Sequence, residues 1–212
     1  MTLRDLAEQI KQRLQLLDIN ASDKQIAHFE AYLLLLEKWN KTYNLTAVRG
    51  LKDMLDRHLL DSLSIAKHLQ GKSFLDVGTG AGLPGIPLAI LYPNNNYSLL
   101  DSNGKKTRFL QQVKIQLQLD NVTVFNCRIE QLATEQKFDG IISRAFASLD
   151  DMLTGSEHVC AEDGYYFAMK GQYPETELQD IKKPYKVLPI TWSGNESERH
   201  LVIISQSVRG FQ

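Results

Sequence analysis

A glycine-rich segment at residues 74–85 has the composition most able to do chemistry in this sequence. It reads Phe74-Leu75-Asp76-Val77-Gly78-Thr79-Gly80-Ala81-Gly82-Leu83-Pro84-Gly85. Glycines permit positive φ angles and let a ligand approach the backbone, and a helix that begins after Pro84 would present free N–H groups. Because glycine-rich turns are common, the spacing alone is a weak sign of nucleotide binding, and the acidic residues around it decide its meaning.

Two carboxylates accompany the glycines. Asp101 ends the next predicted strand, where an acidic side chain can accept hydrogen bonds from both hydroxyls of an adenosine ribose. No Gly-Lys-Ser/Thr follows the glycines, which argues against an NTPase and leaves NAD and S-adenosylmethionine as ligands. Asp76 favours S-adenosylmethionine, because apolar-apolar-Asp-apolar-Gly-x-Gly-x-Gly resembles the first motif of class I methyltransferases. A carboxylate inside an apolar strand needs hydrogen-bond donors, and the methionine ammonium would supply them. We set aside a helix-capping role for Asp76, because glycines separate it from the helix.

Two kinds of element must position these residues. Apolar residues recur at helical spacing through residues 1–70, which predicts successive helices. From residue 73 onward, short apolar runs alternate with helix-length segments, which indicates βαβ units and a mainly parallel sheet. The predicted strands are 73–77, 96–101, 122–125, 138–142, 165–169, 185–190 and 200–205. We therefore predict an α/β fold, a Rossmann-like doubly wound sheet that forms a catalytic domain at 71–212, preceded by a helical extension at 1–70.

The composition narrows the class of protein. The 212 residues carry a formal net charge of −1, so any basic surface for nucleic acid must be local. The two cysteines, Cys127 and Cys160, form no CxxC pair, and the five histidines show no metal-ligand spacing, so we expect no metal. Charged residues interrupt the N-terminal apolar pattern and no apolar run spans a membrane. We expect a cytoplasmic protein that binds no membrane.

Five blocks, in order along the chain, carry a family resemblance. They are residues 39–46, 57–62, 77–88, 143–148 and 169–172. Together they resemble the RsmG (glucose-inhibited division protein B, GidB) family of bacterial methyltransferases, which modify N7 of one guanine in small-subunit ribosomal RNA. The resemblance implies a class I methyltransferase fold, S-adenosyl-L-methionine as donor with S-adenosyl-L-homocysteine as product, and 16S ribosomal RNA or the 30S particle as partner. We expect a monomer.

The residues agree with that chemistry mainly by exclusion. Methylation at carbon 5 of a pyrimidine needs a cysteine nucleophile, but Cys127 lies beside the third strand and Cys160 in a stretch that we predict as helical. Exocyclic amine methyltransferases commonly carry Asn/Asp-Pro-Pro-aromatic after the fourth strand, where this chain has Ser143-Arg144-Ala145-Phe146. N7 of guanine needs neither device, because its in-plane lone pair is free and no proton leaves.

The donor contacts follow from the glycine loop and from the resemblance. The loop and its acidic partner place Gly80 and Asp101 at the donor. The resemblance adds Gly78 and Leu83 in the loop, and Ile129 with Glu130 on the adenine side. For Glu130, a solvated carboxylate at a helix start is nearly as good an interpretation.

Four polar residues are candidates on the RNA side. Arg144 ends the fourth strand, and the resemblance places it between donor and RNA, where we expect it to contact the donor as well. We therefore give it the catalytic role, with guanine O6 or a phosphate as its acceptor, and prefer this to a surface salt bridge. Arg128 and Lys170 follow the third and fifth strands and are expected to converge on the same crevice as RNA contacts. The resemblance suggests Asn44 as a base contact.

Some neighbours of these residues admit a structural interpretation. Trp39 and Tyr43 could stack a flipped base, but Trp39 fits the apolar helical stripe, and Phe146 is the better stacking candidate. For His58 and Asp61, three residues apart, we prefer a structural hydrogen bond to acid–base work. Two rival functions stay open: a nucleotide-binding, Rossmann-like oxidoreductase and a non-catalytic ribosome-binding module.

Overall fold

The helices that open the chain are held together by their own capping and by the core. The computed structural model describes residues 3–144, 146, 148–192, 198–208 and 211. Helix α1 (Leu3–Gln15) packs on the long helix α2 (Asp23–Tyr43). A capping box starts α2, because the Ser22 hydroxyl accepts from the Gln25 N–H while the Gln25 side chain accepts from the Ser22 N–H at 2.8 Å.

The third helical segment changes its winding along its length. It begins as α3 (Leu51–Met54), widens to a π-helix at Leu55–Leu60 and closes as α4 (Asp61–Leu63), with a 3-10 turn at Ala66–His68. π-Helical turns are rare and frequently found at functional sites. Here the widened turn carries His58 and leads directly into Asp61, both of which are buried.

The remaining elements form a seven-stranded sheet flanked by helices. The strands are β1 (Ser73–Val77), β2 (Asn96–Leu100), β3 (Val122–Phe125), β4 (Phe138–Ser143), β5 (Cys160–Lys170), β6 (Tyr185–Pro189) and β7 (His200–Ser205). The helices are α5 (Gly85–Leu91), α6 (Gly104–Gln116), α7 (Leu149–Ser156) and α8 (Glu175–Leu178), with 3-10 turns at Ile129–Gln131 and Glu157–Val159. The α/β fold with a mainly parallel sheet is confirmed.

Sheet order explains where a ligand can bind. The order is β3-β2-β1-β4-β5-β7-β6, with β1 to β5 parallel and β7 antiparallel to both of its neighbours. The chain moves outward to one side of β1 and then to the other, so a crevice opens at the carboxyl ends of β1 and β4. Because β7 runs the other way, its amino end lies at that same edge, where His200 pairs with Lys170 of β5.

Two buried apolar clusters cover the two faces of the sheet. The larger one joins residues of α1 and α2, such as Phe29 and Leu33, to Phe74 and Phe109 of the α/β part. The smaller one lies between the other face and α7, around Leu149 and Met152. The larger core is thus continuous across the boundary that we predict between residues 70 and 71. None of the helices in the described part of the chain has both the length and the apolar character of a membrane span.

One sequence expectation about the cysteines was wrong. Cys160 does not lie in a helix but opens β5, which begins five residues before the segment that we predict, 165–169. The charged residues Glu162 and Asp163 interrupt the apolar run, so the sequence pattern did not indicate where the strand begins. Cys160 is therefore at the amino end of β5, the opposite edge of the sheet from the crevice.

Candidate active site

The glycine loop has the left-handed backbone that its sequence predicts. Gly78, Gly80 and Gly82 have φ angles of 68°, 63° and 90°, which side chains with a Cβ rarely adopt. The Gly78 N–H donates to the Leu100 carbonyl at 2.9 Å, which ties the loop to the end of β2. At Gly80 a Cβ would meet the Gly78 carbonyl oxygen at 3.9 Å and Nζ of Lys106 at 4.0 Å, which are ordinary van der Waals distances, so the backbone is not tightly covered there.

Asp101, directly after β2, lies beside Gly80 of the loop. Its Oδ2 accepts the Gly80 N–H at 2.9 Å, and its Oδ1 accepts the Asn103 N–H at 2.8 Å. Lys106 of α6 adds an ion pair to Oδ2 at 3.4 Å. A carboxylate offers about four lone-pair sites, and Lys106 is the partner most easily displaced, because its side chain is flexible and partly exposed. The structure thus puts Asp101 against Gly80, as the ribose-binding hypothesis requires.

Asp76 is completely buried under the loop. Its Oδ2 accepts the Thr79 hydroxyl at 2.6 Å and the Gly85 N–H at 2.8 Å. Gly85 begins α5, so the capping role that we set aside for Asp76 is present, because the loop folds back and brings Gly85 over the carboxylate. Oδ1 is buried without a hydrogen-bond partner among the described residues. Burial raises the pKa of Asp76 to about 6, although the Thr79 and Gly85 donors and the Arg144 charge oppose the rise. A cationic ligand group at Oδ1 would satisfy that oxygen.

A residue of the helical region supports the loop, and the sequence pattern did not indicate it. The Tyr32 hydroxyl of α2 donates to the Ala81 carbonyl at 2.9 Å, and the side chain is fully buried. Tyr32 falls on the apolar stripe of α2, and its polar tip was the only available signal. The extension therefore fixes the backbone of the glycine loop directly.

The remaining donor candidates lie on both sides of the loop. Leu83 is 8% exposed in the loop itself. Ile129 is buried in the 3-10 turn after β3, in the same apolar cluster as Leu149 and Met152 of α7, and Glu130 beside it is exposed. Their roles toward a donor stay predictions.

On the other side of the crevice, one buried carboxylate binds two arginines. Asp61 is 4% exposed, and its Oδ1 accepts from Nε of Arg199 at 2.9 Å. Nη1 of Arg144 lies 3.3 Å from Oδ2 of Asp61, an ion-pair contact without hydrogen-bond geometry. The sequence did not indicate this ion pair, because Asp61 reaches Arg144 from a segment distant in sequence, and the catalytic role of Arg144 stays a prediction. The pair is not on the open surface, since 26% of the Arg144 side chain is exposed.

These three residues line a cavity of about 230 Å³ at the carboxyl edge of the sheet. Its wall includes Asp61, Arg144, Lys170, Arg199 and His200. Lys170 is already paired, because Nζ contacts both carboxylate oxygens of Glu177, at 2.8 and 3.0 Å. The sequence pattern pointed to Arg144 and Lys170 but did not indicate that Asp61 would pair with Arg144 and Arg199, or Glu177 with Lys170.

Arg128 lies far from this cavity. It is exposed at the start of the 3-10 turn after β3, whereas Lys170 ends β5. Four strand spacings separate β3 from β5, roughly 19 Å along the sheet. The expectation that Arg128 and Lys170 converge on one crevice was therefore wrong, because β1, β2 and β4 lie between the two strands.

The loop between α2 and α3 is organised by its own hydrogen bonds. Asn44 ends α2 in a left-handed conformation, with φ at 50°, and its exposed side chain accepts from Nη2 of Arg49 at 2.8 Å. Nearby, the Thr46 hydroxyl lies 2.9 Å from Nε2 of His58, and Nδ1 of His58 lies 3.1 Å from the Arg57 carbonyl. The expected hydrogen bond between His58 and Asp61 was wrong, because Asp61 pairs with the two arginines, and His58 instead makes structural contacts with Thr46 and the Arg57 carbonyl.

Electrostatics keep His58 neutral. Burial, and then the Arg144 charge, lowers the pKa of His58 to about 4.

Of the aromatic candidates, Trp39 packs against the larger core, with its ring 5.6 Å from that of Phe109. Tyr43 is 44% exposed and lies against Trp39. Phe146 is half-buried against the smaller core.

Comparison with known proteins supplies the context of this site. Residues 25–202 match the family model GidB, described as rRNA small subunit methyltransferase G. Curated relatives named ribosomal RNA small subunit methyltransferase G include one from Idiomarina loihiensis, 50% identical over 95% of this chain and 99% of its own. Another, from Escherichia fergusonii, is 51% identical over 88% of this chain and 91% of its own.

Solved structures share the fold at much lower identity. One is the magnesium protoporphyrin IX methyltransferase of Synechocystis PCC 6803 with bound S-adenosylmethionine, at a TM-score of 0.58 and 17% identity. It covers 87% of this chain and 98% of its own. Another is the N-methyltransferase NodS of Bradyrhizobium japonicum, at a TM-score of 0.53, 13% identity, and coverage of 71% of this chain and 94% of that one.

Proposed function

Because this chain belongs to the rRNA small subunit methyltransferase G family, we propose that it transfers the methyl group of S-adenosyl-L-methionine to N7 of one guanine in 16S ribosomal RNA. The chain is a methyltransferase, and its donor is S-adenosyl-L-methionine. One observation carries the proposal: the donor loop and a cationic side chain meet at the same point of the sheet. The register pairs Asp76 of β1 with Ile142 of β4, which puts Arg144 level with Gly78.

The residues around the glycine loop fit S-adenosyl-L-methionine. Asp101 and the Gly80 backbone would hold the ribose, and the unpartnered Oδ1 of Asp76 would accept from the methionine ammonium. Gly78 and Leu83 would contact the donor from the loop, and Ile129 and Glu130 would lie on its adenine side. When bound, S-adenosyl-L-methionine supplies an electrophilic methyl group on a sulfonium.

Methylation at N7 of guanine does not need a general base in the protein. The lone pair of N7 lies in the plane of the base and no proton leaves, so alignment and exclusion of water carry the catalysis. Arg144 would donate to guanine O6 or to a phosphate but not to N7, because that would occupy the attacking lone pair. His58 is unsuited to act as a base, since both of its ring nitrogens are within hydrogen-bond distance of Thr46 or Arg57.

The environments of the cysteines oppose methylation at carbon 5 of a pyrimidine. That reaction needs a thiolate beside the donor. Burial raises the pKa of the Cys160 thiol to about 11, and Cys160 lies at the amino end of β5, away from the crevice. Burial also raises the pKa of Cys127.

The RNA contacts belong to the same proposal. Asn44, Arg128 and Lys170 would contact RNA at separate points, Arg128 near the β3 edge and Lys170 at the cavity. The helical extension at residues 1–70 would help to hold the RNA while its Tyr32 holds the donor loop. We place the activity in the cytoplasm, in a monomer that acts on 16S RNA or the 30S particle without a metal.

Transfer of labelled methyl groups tests the proposal. Small-subunit RNA and 30S particles from cells that lack the protein would be incubated with labelled donor and wild-type protein or Asp101→Ala. Incorporation that needs Asp101 supports the proposal. Affinity for NAD in place of S-adenosyl-L-homocysteine would instead favour an oxidoreductase. Donor binding without transfer to either substrate would favour a ribosome-binding module.

A further inference from the structure

Asp61 occupies a position that the transfer chemistry does not by itself explain. It comes from the helical region, at the end of the π-helical segment, yet its carboxylate lies between Arg144 after β4 and Arg199 before β7. Each carboxylate oxygen faces a different guanidinium, at 2.9 Å for Arg199 and 3.3 Å for Arg144. Two like charges on separate loops are therefore held side by side by one buried anion.

The charges around the cavity do not cancel. Lys170 is neutralised by Glu177 at 2.8 Å. Glu198, 3.6 Å from Nδ1 of His200, is 59% exposed and is not among the residues that line the cavity. Asp61 can balance only one of its two arginines. Arg144, Lys170 and Arg199, which line the cavity, carry three positive charges against the two negative charges of Asp61 and Glu177. One positive charge is therefore in surplus on Arg144 and Arg199, whose side chains are 26% and 30% exposed.

We propose that Asp61 is a positioning residue that holds Arg144 and Arg199 together at this cavity, and that the cavity binds one phosphate of the RNA strand carrying the target guanine. The inference rests on the proposed function. A guanidinium has five N–H donors in a rigid fork that suits phosphate. Arg199 uses Nε on Asp61 and Nη1 on the Glu198 carbonyl, at 2.9 and 2.8 Å. Within the part of the chain that the structure describes, Asp61 is the ion-pair partner of Arg144.

A phosphate fits this arrangement better than a base edge does. The single negative charge of a phosphodiester matches the surplus charge, whereas guanine O6 is neutral and would leave that charge unbalanced. The position is also suitable, because Arg144 is level with the donor loop. A phosphate held here would fix the nucleotide next to the transferred methyl group.

The salt dependence of RNA binding tests both parts of the proposal. Affinity for unmethylated small-subunit RNA would be measured from low to moderate salt for wild type, Asp61→Asn, Arg199→Gln and the double variant. Each lost phosphate contact lowers the slope of log affinity against log salt by about 0.7–0.9. We expect that loss in each single variant and no further loss in the double, with an affinity decrease of roughly tenfold at low salt and donor affinity within about twofold of wild type.

Asp56→Asn is the matched control. Asp56 lies on the same π-helical segment and pairs with Arg13 at 2.9 Å, but it does not line the cavity. It should leave the slope unchanged, because its loss removes a carboxylate–arginine pair of the same segment that lies away from the cavity. If Asp61→Asn does not fold, Asp61→Glu and Arg199→Gln carry the comparison, with Asp61→Glu retaining most of the wild-type slope.

The outcomes separate this inference from the proposed function. Wild-type slope in Arg199→Gln, or equal behaviour of Asp61→Asn and Asp56→Asn, would overturn the phosphate site although methyl transfer persists. Additive losses of slope in the double variant would overturn the shared phosphate. Absence of methyl transfer by the wild-type protein would instead refute the function on which the inference rests.

Discussion

The two halves of the crevice are built from different kinds of sequence information. The donor half is local, since Asp76, the three left-handed glycines and Asp101 lie within one βαβ unit. The substrate half joins remote segments, since Asp61 and Arg199 are 138 positions apart and meet Arg144 from a third element. The first half can be recognised from a motif, whereas the second exists only when the helical region packs against the sheet.

The halves also differ in their electrostatics. In the donor half, Asp76 and Asp101 are buried carboxylates that accept backbone N–H groups. In the substrate half, Arg144 and Arg199 both contact the carboxylate of Asp61, which can neutralise only one of them. The arrangement suits a cationic donor on one side and an anionic strand on the other, which gives each half a separate experimental signature.

The largest effect is expected for Arg144→Gln. Removing a positioned cation beside the reacting centre should lower turnover on the order of 100-fold, as the loss of one electrostatic donor commonly does. Donor affinity should stay near wild type, because the donor contacts belong to the other half. Single-turnover methyl transfer and calorimetry with S-adenosyl-L-homocysteine would measure the two quantities. A variant that loses donor affinity instead would show that the halves are not separate.

Asp101→Ala should produce the complementary result. Losing hydrogen bonds to a charged acceptor, at about 1.5–3 kcal/mol, predicts donor binding weakened on the order of 10–100-fold. RNA affinity should change little. Calorimetry again gives the donor affinity, and RNA titration provides the comparison. Unchanged donor affinity would mean that the ribose lies elsewhere.

His58→Gln should change the response of the fold to acid. The folded pKa of His58 is about 4 against 6.5 in an unfolded chain, so the unfolded state binds more protons between these values and stability falls as pH decreases from 6.5 to 4. His58→Gln should remove this part of the acid sensitivity. Denaturant unfolding at pH 7.5 and 5 would measure it. A variant with wild-type pH dependence would contradict the neutral, structural role of His58.

The smallest effect is expected for Arg128→Ala, about threefold in RNA affinity with a slope lower by about 0.7–0.9. Arg128 lies near the far edge of the sheet, so its loss should add to that of Arg199→Gln. Salt titration of RNA binding would test this, with Lys11→Ala as control, because Lys11 pairs with Asp23 on the helical region. Binding identical to that of Lys11→Ala would remove Arg128 from the RNA path.

The difference between the two halves also explains which elements and site residues could be predicted from the sequence. The strands and the glycine loop followed from short-range patterns, and the position of Asp101 against Gly80 followed from the βαβ geometry. The start of β5 was missed because Glu162 and Asp163 interrupt its apolar run. The contacts of Asp61 with the two arginines and of Tyr32 with the glycine loop could not be predicted, because nothing in their own segments shows what will pack against them. The separation of Arg128 from Lys170 needed the strand order.

Identification of the methylated atom tests the central claim most directly. Methylation at N7 leaves the imidazole ring cationic and open to borohydride reduction or hydroxide attack, after which aniline cuts the strand. Small-subunit RNA from a strain carrying the gene should show one such cut, which disappears on deletion and returns with the wild-type gene but not with Arg144→Gln. A cut that survives deletion, or the loss of a methylated adenine or cytosine in nucleoside mass spectrometry, would contradict transfer to guanine N7.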